Sequence, residues 1–229
     1  ALGGSPLIAM CLEAGRQASL PMAVHLDHCT SEDIITTALQ AGLSSVMADG
    51  SHLDDAANMA FTSRIAEHAH RQGASVEAEL GRLSGSEDGL TVADYQARLT
   101  DPDQAMDFAR RAGVDALAVC IGNVHGRYTQ PPDLDFDRLA ALKQRLAIPI
   151  VLHGTSGLPD DMIGRAIALG VCKFNVNTEL RQAALQAAQQ YLSTCVKMEL
   201  VDLMEAVIRA MQAPAMAKIR LFGSAGRAA

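Results

Sequence analysis

Three histidines stand where short apolar runs of the sequence end. His28, His125 and His153 each close such a run or follow it within a few residues, and each lies next to Asp or Gly. Neutral imidazoles that occupy three positions and leave a fourth position open form a catalytic zinc site. The pattern therefore predicts a three-histidine metal site. His25 competes for one of these positions, or lies in the interior as a residue that supports the ligands.

Carboxylates accompany these histidines along the chain. Asp27, directly before the first of them, is either a general acid/base that moves a hydroxyl proton or a group that orients a histidine ligand. Asp49 and Glu79 are candidates for a second metal site or for support of the first one. Glu87 lies in the acidic, Gly- and Ser-rich segment 84–89, which is either a solvated loop or a mobile lid with a proton relay.

Two segments of small residues predict a phosphate site. Residues 153–157 (HGTSG) and 175–178 (NVNT) end two successive apolar runs. Small residues let backbone N–H groups approach an anion closely, and Ser and Thr hydroxyls add donors. Two ordinary tight turns are the alternative interpretation. Gly126 and Ser51 are further candidates near this site.

The elements that must position these residues alternate along the chain. Near-continuous apolar runs predict buried parallel strands at residues 21–28, 44–51, 74–81, 116–123, 148–155 and 172–178. Amphipathic stretches predict helices at residues 31–41, 53–72, 101–112, 136–146 and 159–169. This alternation is typical of a parallel α/β sheet or barrel, in which the active site forms at the carboxyl ends of the strands.

A TIM (β/α)8 barrel is the expected fold. Such a barrel typically needs about 250 residues, and we expect the 229 residues of this chain to form one barrel domain with a C-terminal helical extension at 179–218. Because six strands are visible where a barrel has eight, the first two strands are expected to be missing from this sequence. The connection at 82–100 is long enough to suggest a functional loop.

Composition and charge narrow the class of protein. The net charge is −7 and aromatic residues make up 3% of the chain, which disfavours nucleic-acid and anionic-membrane partners. The five cysteines are odd in number and form no CxxC pair, which favours a reducing compartment over a disulfide framework. We find no basic-then-apolar start and no apolar span of about 18 residues, so a cytoplasmic, membrane-free protein is expected.

The motifs together resemble those of the class II ketose-bisphosphate aldolases, nearest the tagatose-bisphosphate branch. They are HLDH at 25–28, DGSH at 49–52, VEAELG at 76–81, IGNVHG at 121–126, LHGTSG at 152–157, FNVNTEL at 174–180 and KIRLFGSAGR at 218–227. The resemblance spans nearly the whole chain and implies a zinc-dependent TIM barrel that forms a homodimer or homotetramer. Thr155 stands where relatives often have Gly or Ala, and Ser86 where the fructose-specific branch has Glu.

The resemblance also implies a role for each matching residue. His28, His125 and His153 would bind Zn2+, and Asp27 would be the catalytic base. Asn175 would contact the enediolate or hydroxyl of dihydroxyacetone phosphate. The residues that would hold its phosphate, beside a monovalent cation (Na+ or K+), are Gly126, Gly154, Ser156, Asn177 and Thr178.

The implied reaction is zinc-assisted retro-aldol cleavage of a ketose 1,6-bisphosphate of tagatose or fructose type, a step of carbohydrate metabolism such as glycolysis. Asp27 would take the C4 hydroxyl proton, and Glu87 or a water near it would protonate C3. Lys173 is expected at the start of its strand and away from the site, which disfavours a Schiff-base aldolase. The alternatives are a metal-dependent sugar-phosphate epimerase and a non-catalytic paralogous subunit of an aldolase complex.

Overall fold

The structure, a computed structural model, describes residues 4–87, 90–93, 97–126, 128, 130–197 and 199–228; the side chains of residues 86, 87 and 90–92 lie outside this description. The helices in the described part are α1 (Gly4–Gln17), α2 (Glu32–Gln40), α3 (Asp55–Arg71), α4 (Pro102–Ala112), α5 (Phe136–Arg145), α6 (Asp160–Ala168), α7 (Thr178–Thr194) and α8 (Leu200–Leu221). The strands are β1 (His25–Cys29), β2 (Ser45–Ala48), β3 (Ser75–Leu80), β4 (Ser84–Glu87), β5 (Leu90–Val92), β6 (Ala116–Val119), β7 (Val124–His125), β8 (Ile150–Leu152) and β9 (Val171–Phe174).

One parallel sheet holds the six strands that the sequence predicts. Its order is β1-β2-β3-β6-β8-β9, which is also their order along the chain. Each neighbouring pair is parallel, and the sheet curls into a half-barrel. The α/β prediction is confirmed, and the arrangement is consistent with a TIM-type barrel. All six strands therefore end at the same rim.

The two faces of this sheet carry different side chains, as the period-two geometry of strands requires. Val46 and Ala48 belong to the large core between sheet and helices, whereas Met47 lies in a small inner cluster with Ala118 and Val151. Met47 pairs in register with Glu77. Glu77, and with it Glu79, therefore points to the inner face. These two buried carboxylates lie on the same face of the sheet as Met47, Ala118 and Val151.

A second, three-stranded sheet forms at the rim from β5, β4 and β7. The segment 82–100, predicted as a loop, thus contains an antiparallel hairpin whose first strand also pairs in parallel with β7. The sequence did not predict this sheet because β4 reads SGSE, with no apolar alternation, and β7 is two residues long. Its consequence is that β4 lies directly beside His125.

The C-terminal part is helical, as predicted, but it forms two helices that pack against each other; α7 ends at Thr194 and α8 begins at Leu200. The surface of α8 includes many large apolar side chains that are exposed in the single chain. They include Leu200 (73% exposed), Val201, Met204, Ile208, Met216 and Ile219. Within the described residues, no helix combines the length and apolar character needed to cross a membrane.

Candidate active site

Strand β1 delivers two adjacent polar residues to the rim through a break in its regular pairing. The register of β1 with β2 shifts between Leu26 and Cys29. Within this irregularity His28 adopts a φ of 43°, a left-handed conformation that is rare for residues other than glycine. In a regular strand Asp27 and His28 would point to opposite faces. The shift lets both side chains reach the same rim.

The three predicted metal ligands meet in one cluster. The ring centroids of His28 lie 5.0 Å from His125 and 4.6 Å from His153, and those of His125 and His153 are 6.1 Å apart. One nitrogen from each ring lies within 4.8 Å of the other two. The structure thus brings together side chains from three strands that are far apart in sequence.

In two of these rings, a buried carboxylate binds the nitrogen that points away from the cluster. His28 Nδ1 lies 2.7 Å from Asp49 Oδ2, and His153 Nε2 lies 2.8 Å from Glu77 Oε1. A carboxylate accepts the ring N–H, so the other nitrogen of each ring keeps a lone pair toward the cluster. Those two nitrogens, His28 Nε2 and His153 Nδ1, are 2.7 Å apart. Two lone pairs at this distance repel each other unless a proton or a cation lies between them.

The pKa values of the histidines in the cluster also indicate that a proton or a cation lies between the rings. Burial lowers the pKa of His28, but the hydrogen bond with Asp49 and the charges of Glu79 and Asp27 together raise it to about 9. Burial and the charges of the other two histidines lower the pKa of His125 to about 4. Without an ion, the cluster therefore holds a proton on His28 at neutral pH, and a divalent cation would displace it. The donor set fits zinc.

Glu79 provides a further buried carboxylate beside His28 and Asp49. Its side chain is fully buried, and Oε2 has no hydrogen-bond partner within the described part of the chain. Burial and the charge of Asp49 raise the pKa of Glu79 to about 8. His28, Asp49 and Glu79 also present ligand atoms within 4.8 Å of one another. The predicted second set of metal-binding groups is therefore contiguous with the first.

A rigid scaffold fixes His125. Buried Asn123 accepts the backbone N–H of Ile121 and donates to the carbonyl of His153 at 3.0 Å. The hydroxyl of Tyr128 accepts the N–H of Val124 and donates to the carbonyl of Gly154 at 2.8 Å. These bonds tie the segment that carries His125 to the end of β8, which carries His153.

Gly154 allows these two segments to approach each other closely. It has a φ of +61°, and a Cβ at this position would lie 2.3 Å from the carbonyl oxygen of Val124. Gly154→Ala is expected to lower the free energy of unfolding by about 2 kcal/mol or more, because the left-handed conformation alone costs about 1–2 kcal/mol. Chemical denaturation measures this change.

The matched control is Gly164→Ala in α6, where a Cβ meets nothing within 4 Å. This substitution is expected to stabilise the protein by about 0.5–1 kcal/mol, because alanine favours the helix interior over glycine. Equal denaturation midpoints for the two variants would contradict the close approach at Gly154.

Asp27 lies beside the cluster and is held by Asn175. The Asn175 amide donates to both carboxylate oxygens of Asp27 at 2.9 Å. The Asp27 side chain is 44% exposed, so it is open to a molecule at the rim. His25 does not join the three histidines; its Nδ1 lies 2.7 Å from Ser45 Oγ, and its Nε2 lies 3.8 Å from Glu77.

Lys173 corrects the expectation that it lies away from the site. Its ammonium donates to Asn175 Oδ1 at 2.6 Å and lies 2.9 Å from Glu77 Oε2. The prediction placed Lys173 at the start of its strand, whereas it is the third of the four residues of β9 and pairs in register with Val151, which belongs to the inner cluster. Glu77 was also absent from the predicted site. The signal that could have identified it was its strand parity with Glu79.

Two of the predicted phosphate residues lie at the N-terminus of α7. Thr178 is the first residue of this helix and Asn177 is its N-cap. Ser156 is buried in the loop between β8 and α6, where the neighbouring Thr155 hydroxyl donates to the Asn175 carbonyl at 2.8 Å. Free N–H groups at a helix start attract anions. Gly126, with a φ of 84°, follows His125 on the neighbouring segment.

Glu179, the second residue of α7, connects the loop between β8 and α6 to the C-terminal helix α8. Glu179 Oε1 accepts the backbone N–H of Gly157 at 2.9 Å and lies 3.0 Å from the ammonium of Lys218 in α8.

Glu87, the predicted proton relay, has its backbone in β4, and its side chain lies outside the described residues.

Comparisons with known proteins agree with this architecture. A model of the family described as fructose-bisphosphate aldolase class-II matches residues 1–227. The YdjI aldolase from Escherichia coli K12 is 37% identical, with a TM-score of 0.87 over 98% of this chain and 78% of that chain. A candidate fructose-1,6-bisphosphate aldolase from Coccidioides immitis is 31% identical, with a TM-score of 0.89 over 97% of this chain and 78% of that one.

A more distant structure shares the fold. The fructose-bisphosphate aldolase of Campylobacter jejuni is 19% identical, with a TM-score of 0.77 over 95% of this chain and 76% of that chain. The family match and the two nearer structures carry the assignment, together with the cluster of histidines and carboxylates at the strand ends. The chain belongs to the class II fructose-bisphosphate aldolase family.

Proposed function

We propose that this protein is a zinc-dependent aldolase that cleaves a ketose 1,6-bisphosphate, of tagatose or fructose type, to dihydroxyacetone phosphate and an aldehyde. The observation that supports this most strongly is the meeting of His28, His125 and His153 beside Asp27 at the open rim. His28, His125 and His153 would hold the zinc ion. When bound, zinc would act as a Lewis acid for the negative charge that develops on the ketose oxygen.

The protein's own residues would move the protons. Asp27 would accept the proton of the C4 hydroxyl, so that a C4 carbonyl forms as the C3–C4 bond breaks. The electron pair of that bond passes to C3 and is delocalised onto the C2 oxygen as an enediolate. Asn175, whose amide faces Asp27, would position both the carboxylate and the enediolate. Glu87 is proposed to return a proton to C3.

The phosphate of dihydroxyacetone phosphate would bind at the start of α7. Gly126 and Gly154 would contribute backbone N–H groups, and Ser156, Asn177 and Thr178 would contribute side chains, with a monovalent cation (Na+ or K+) beside the phosphate. Asp49 and Glu79 would offer a second, deeper position to the metal ion. The net charge of −7 means that this local site, rather than the overall field of the protein, must attract the substrate.

Thr178→Val tests the phosphate site because it removes a hydroxyl with little change of shape. The KM for the bisphosphate is expected to rise about tenfold or more, since a hydrogen bond to a charged group contributes about 1.5–3 kcal/mol. Thr194→Val at the other end of α7, where the hydroxyl donates to the Gln190 carbonyl, is the matched control. Equal KM values for both variants, measured by steady-state kinetics, would contradict the assignment.

The exposed apolar side chains of α8 support assembly into a homodimer or homotetramer. Leu200, Val201 and Ile208 are each more than half exposed in the single chain. Apolar patches of this kind are typical of contact surfaces between subunits. A cytoplasmic location and a role in glycolysis or related sugar metabolism follow from the proposed substrate.

The function is tested by assaying cleavage of tagatose, fructose and longer ketose bisphosphates side by side. We expect formation of dihydroxyacetone phosphate that a chelator abolishes and added zinc restores. Exchange of a substrate proton with solvent without carbon–carbon cleavage would identify a metal-dependent epimerase instead. A folded, zinc-loaded protein that cleaves none of these sugars would indicate a non-catalytic subunit.

A further inference from the structure

Lys173 contacts two residues at once, one that holds the proposed base and one that holds a proposed zinc ligand. Its ammonium lies 2.6 Å from Asn175 Oδ1, and Asn175 holds Asp27. It also lies 2.9 Å from Glu77 Oε2, and Glu77 holds His153. We propose that Lys173 is a positioning residue that fixes Asn175 and Glu77, and through them the base Asp27 and the ligand His153; this inference rests on the function proposed above.

Lys173 orients the Asn175 amide. The oxygen and nitrogen ends of an asparagine amide have nearly the same shape, so the neighbouring groups decide which end points where. Here Oδ1 accepts from Lys173, while Nδ2 donates to both oxygens of Asp27 at 2.9 Å. A flipped amide would place its NH2 group against the ammonium and its oxygen against the carboxylate. Lys173 therefore selects the orientation that presents a donor to Asp27.

Lys173 also fixes the carboxylate of Glu77. This carboxylate is 4% exposed and has one oxygen on His153 Nε2 and the other on Lys173. A buried carboxylate that loses a charged partner is strongly disfavoured in its original position, so the Glu77 carboxylate would reorient without Lys173. A rotated Glu77 would no longer accept the N–H of His153. The ring of His153 would then lose the contact that keeps its Nδ1 directed at the cluster.

The geometry separates this role from that of a nucleophile. A Schiff-base lysine must present a neutral amine to a carbonyl substrate. The Lys173 nitrogen instead lies between a carboxylate oxygen and an amide oxygen, both within 3 Å, and these acceptors take two of its three N–H groups. Lys173 thus acts as a fixed cation between two elements, since Glu77 lies on β3 and Asn175 directly follows β9.

A double-mutant cycle tests the coupling through Asn175. Lys173→Met keeps the length of the stem and removes the charge; we expect kcat to fall by about 10-fold or more, with KM within about threefold. Asn175→Ala lowers kcat as well. If Lys173 acts through Asn175, Lys173→Met should lower kcat by less than about threefold further in the Asn175→Ala background. The rates are measured at saturating zinc, so that weaker metal binding through Glu77 does not contribute, and effects that multiply in the double variant would then overturn the proposal.

Metal affinity tests the coupling through Glu77 without any use of catalysis. In competition with a chromophoric chelator, Lys173→Met is expected to bind zinc about 10-fold more weakly, the range typical for loss of a group behind a metal ligand. Lys173→Arg, which keeps the charge, should recover part of both losses and serves as the test if Lys173→Met does not fold. Lys143→Met, at an exposed lysine of α5, is the matched control.

The two readouts also distinguish failure of this inference from failure of the proposed function. A wild-type protein that binds zinc but cleaves no ketose bisphosphate would remove the function, while the zinc competition would still decide whether Lys173 supports the site. Wild-type zinc affinity in Lys173→Met would overturn the inference and leave the function standing. The same holds for a wild-type kcat in that variant.

Discussion

Asp27→Ala is expected to lower kcat by about 10²-fold or more, the usual contribution of a positioned general base. Asp27 lies beside the cluster with a side chain that is open to the rim, and the Asn175 amide contacts both of its oxygens. Because the side chain is 44% exposed, its removal should leave the fold intact. Zinc content should also persist. Steady-state kinetics together with metal analysis measure both quantities.

The matched control for Asp27→Ala is Asp33→Ala, at an exposed carboxylate in the first turn of α2. Its kcat should stay within about twofold of the wild-type value, since surface substitutions away from special features have small effects. A variant Asp27→Ala that cleaves at the control's rate would show that another group removes the hydroxyl proton. A variant that loses zinc would place Asp27 among the ligands.

His153→Ala is expected to release zinc, and we expect aldol cleavage to be lost together with the metal ion. Lewis-acid stabilisation of several kcal/mol corresponds to a loss of about 10³-fold in rate. His153 is the most buried of the three histidines, at 1% exposed, and it connects Glu77 to His28. Zinc stoichiometry after dialysis, measured by atomic emission, tests the first expectation, and the cleavage assay tests the second.

His68→Ala is the matched control for this variant, because His68 lies on α3 and contacts Gln72 rather than the cluster. The control should keep one zinc ion per active site and full activity. Stoichiometric zinc in His153→Ala would contradict the three-histidine site, and full activity without zinc would contradict metal dependence.

The sequence predicted what depends on periodicity. The six apolar runs, their parallel order and the rim on which His28, His125 and His153 meet all follow from the alternation of strands and helices. These features could be predicted because each apolar run is long enough to be recognised as a buried strand. The start of α4 could also be predicted from the sequence, because Asp101 and Pro102 form a typical helix start. In the structure the Asp101 side chain accepts the backbone N–H groups of Asp103 and Gln104.

The sequence did not predict what depends on three-dimensional contact. The left-handed backbone at His28, the rim strands β4 and β7, and the reach of Lys173 to Glu77 leave no periodic signal. Each arises where one segment meets another that is distant in sequence. The carboxylate pairing of the two histidines is of the same kind, because parity places Glu77 on the inner face but says nothing of its partner.

The most direct measurement is anomalous diffraction at the zinc edge from crystals of the zinc-loaded protein. We expect one strong peak in contact with ring nitrogens of His28, His125 and His153, on the side that faces Asp27. A peak bound by other residues, with these three imidazoles empty, would contradict it.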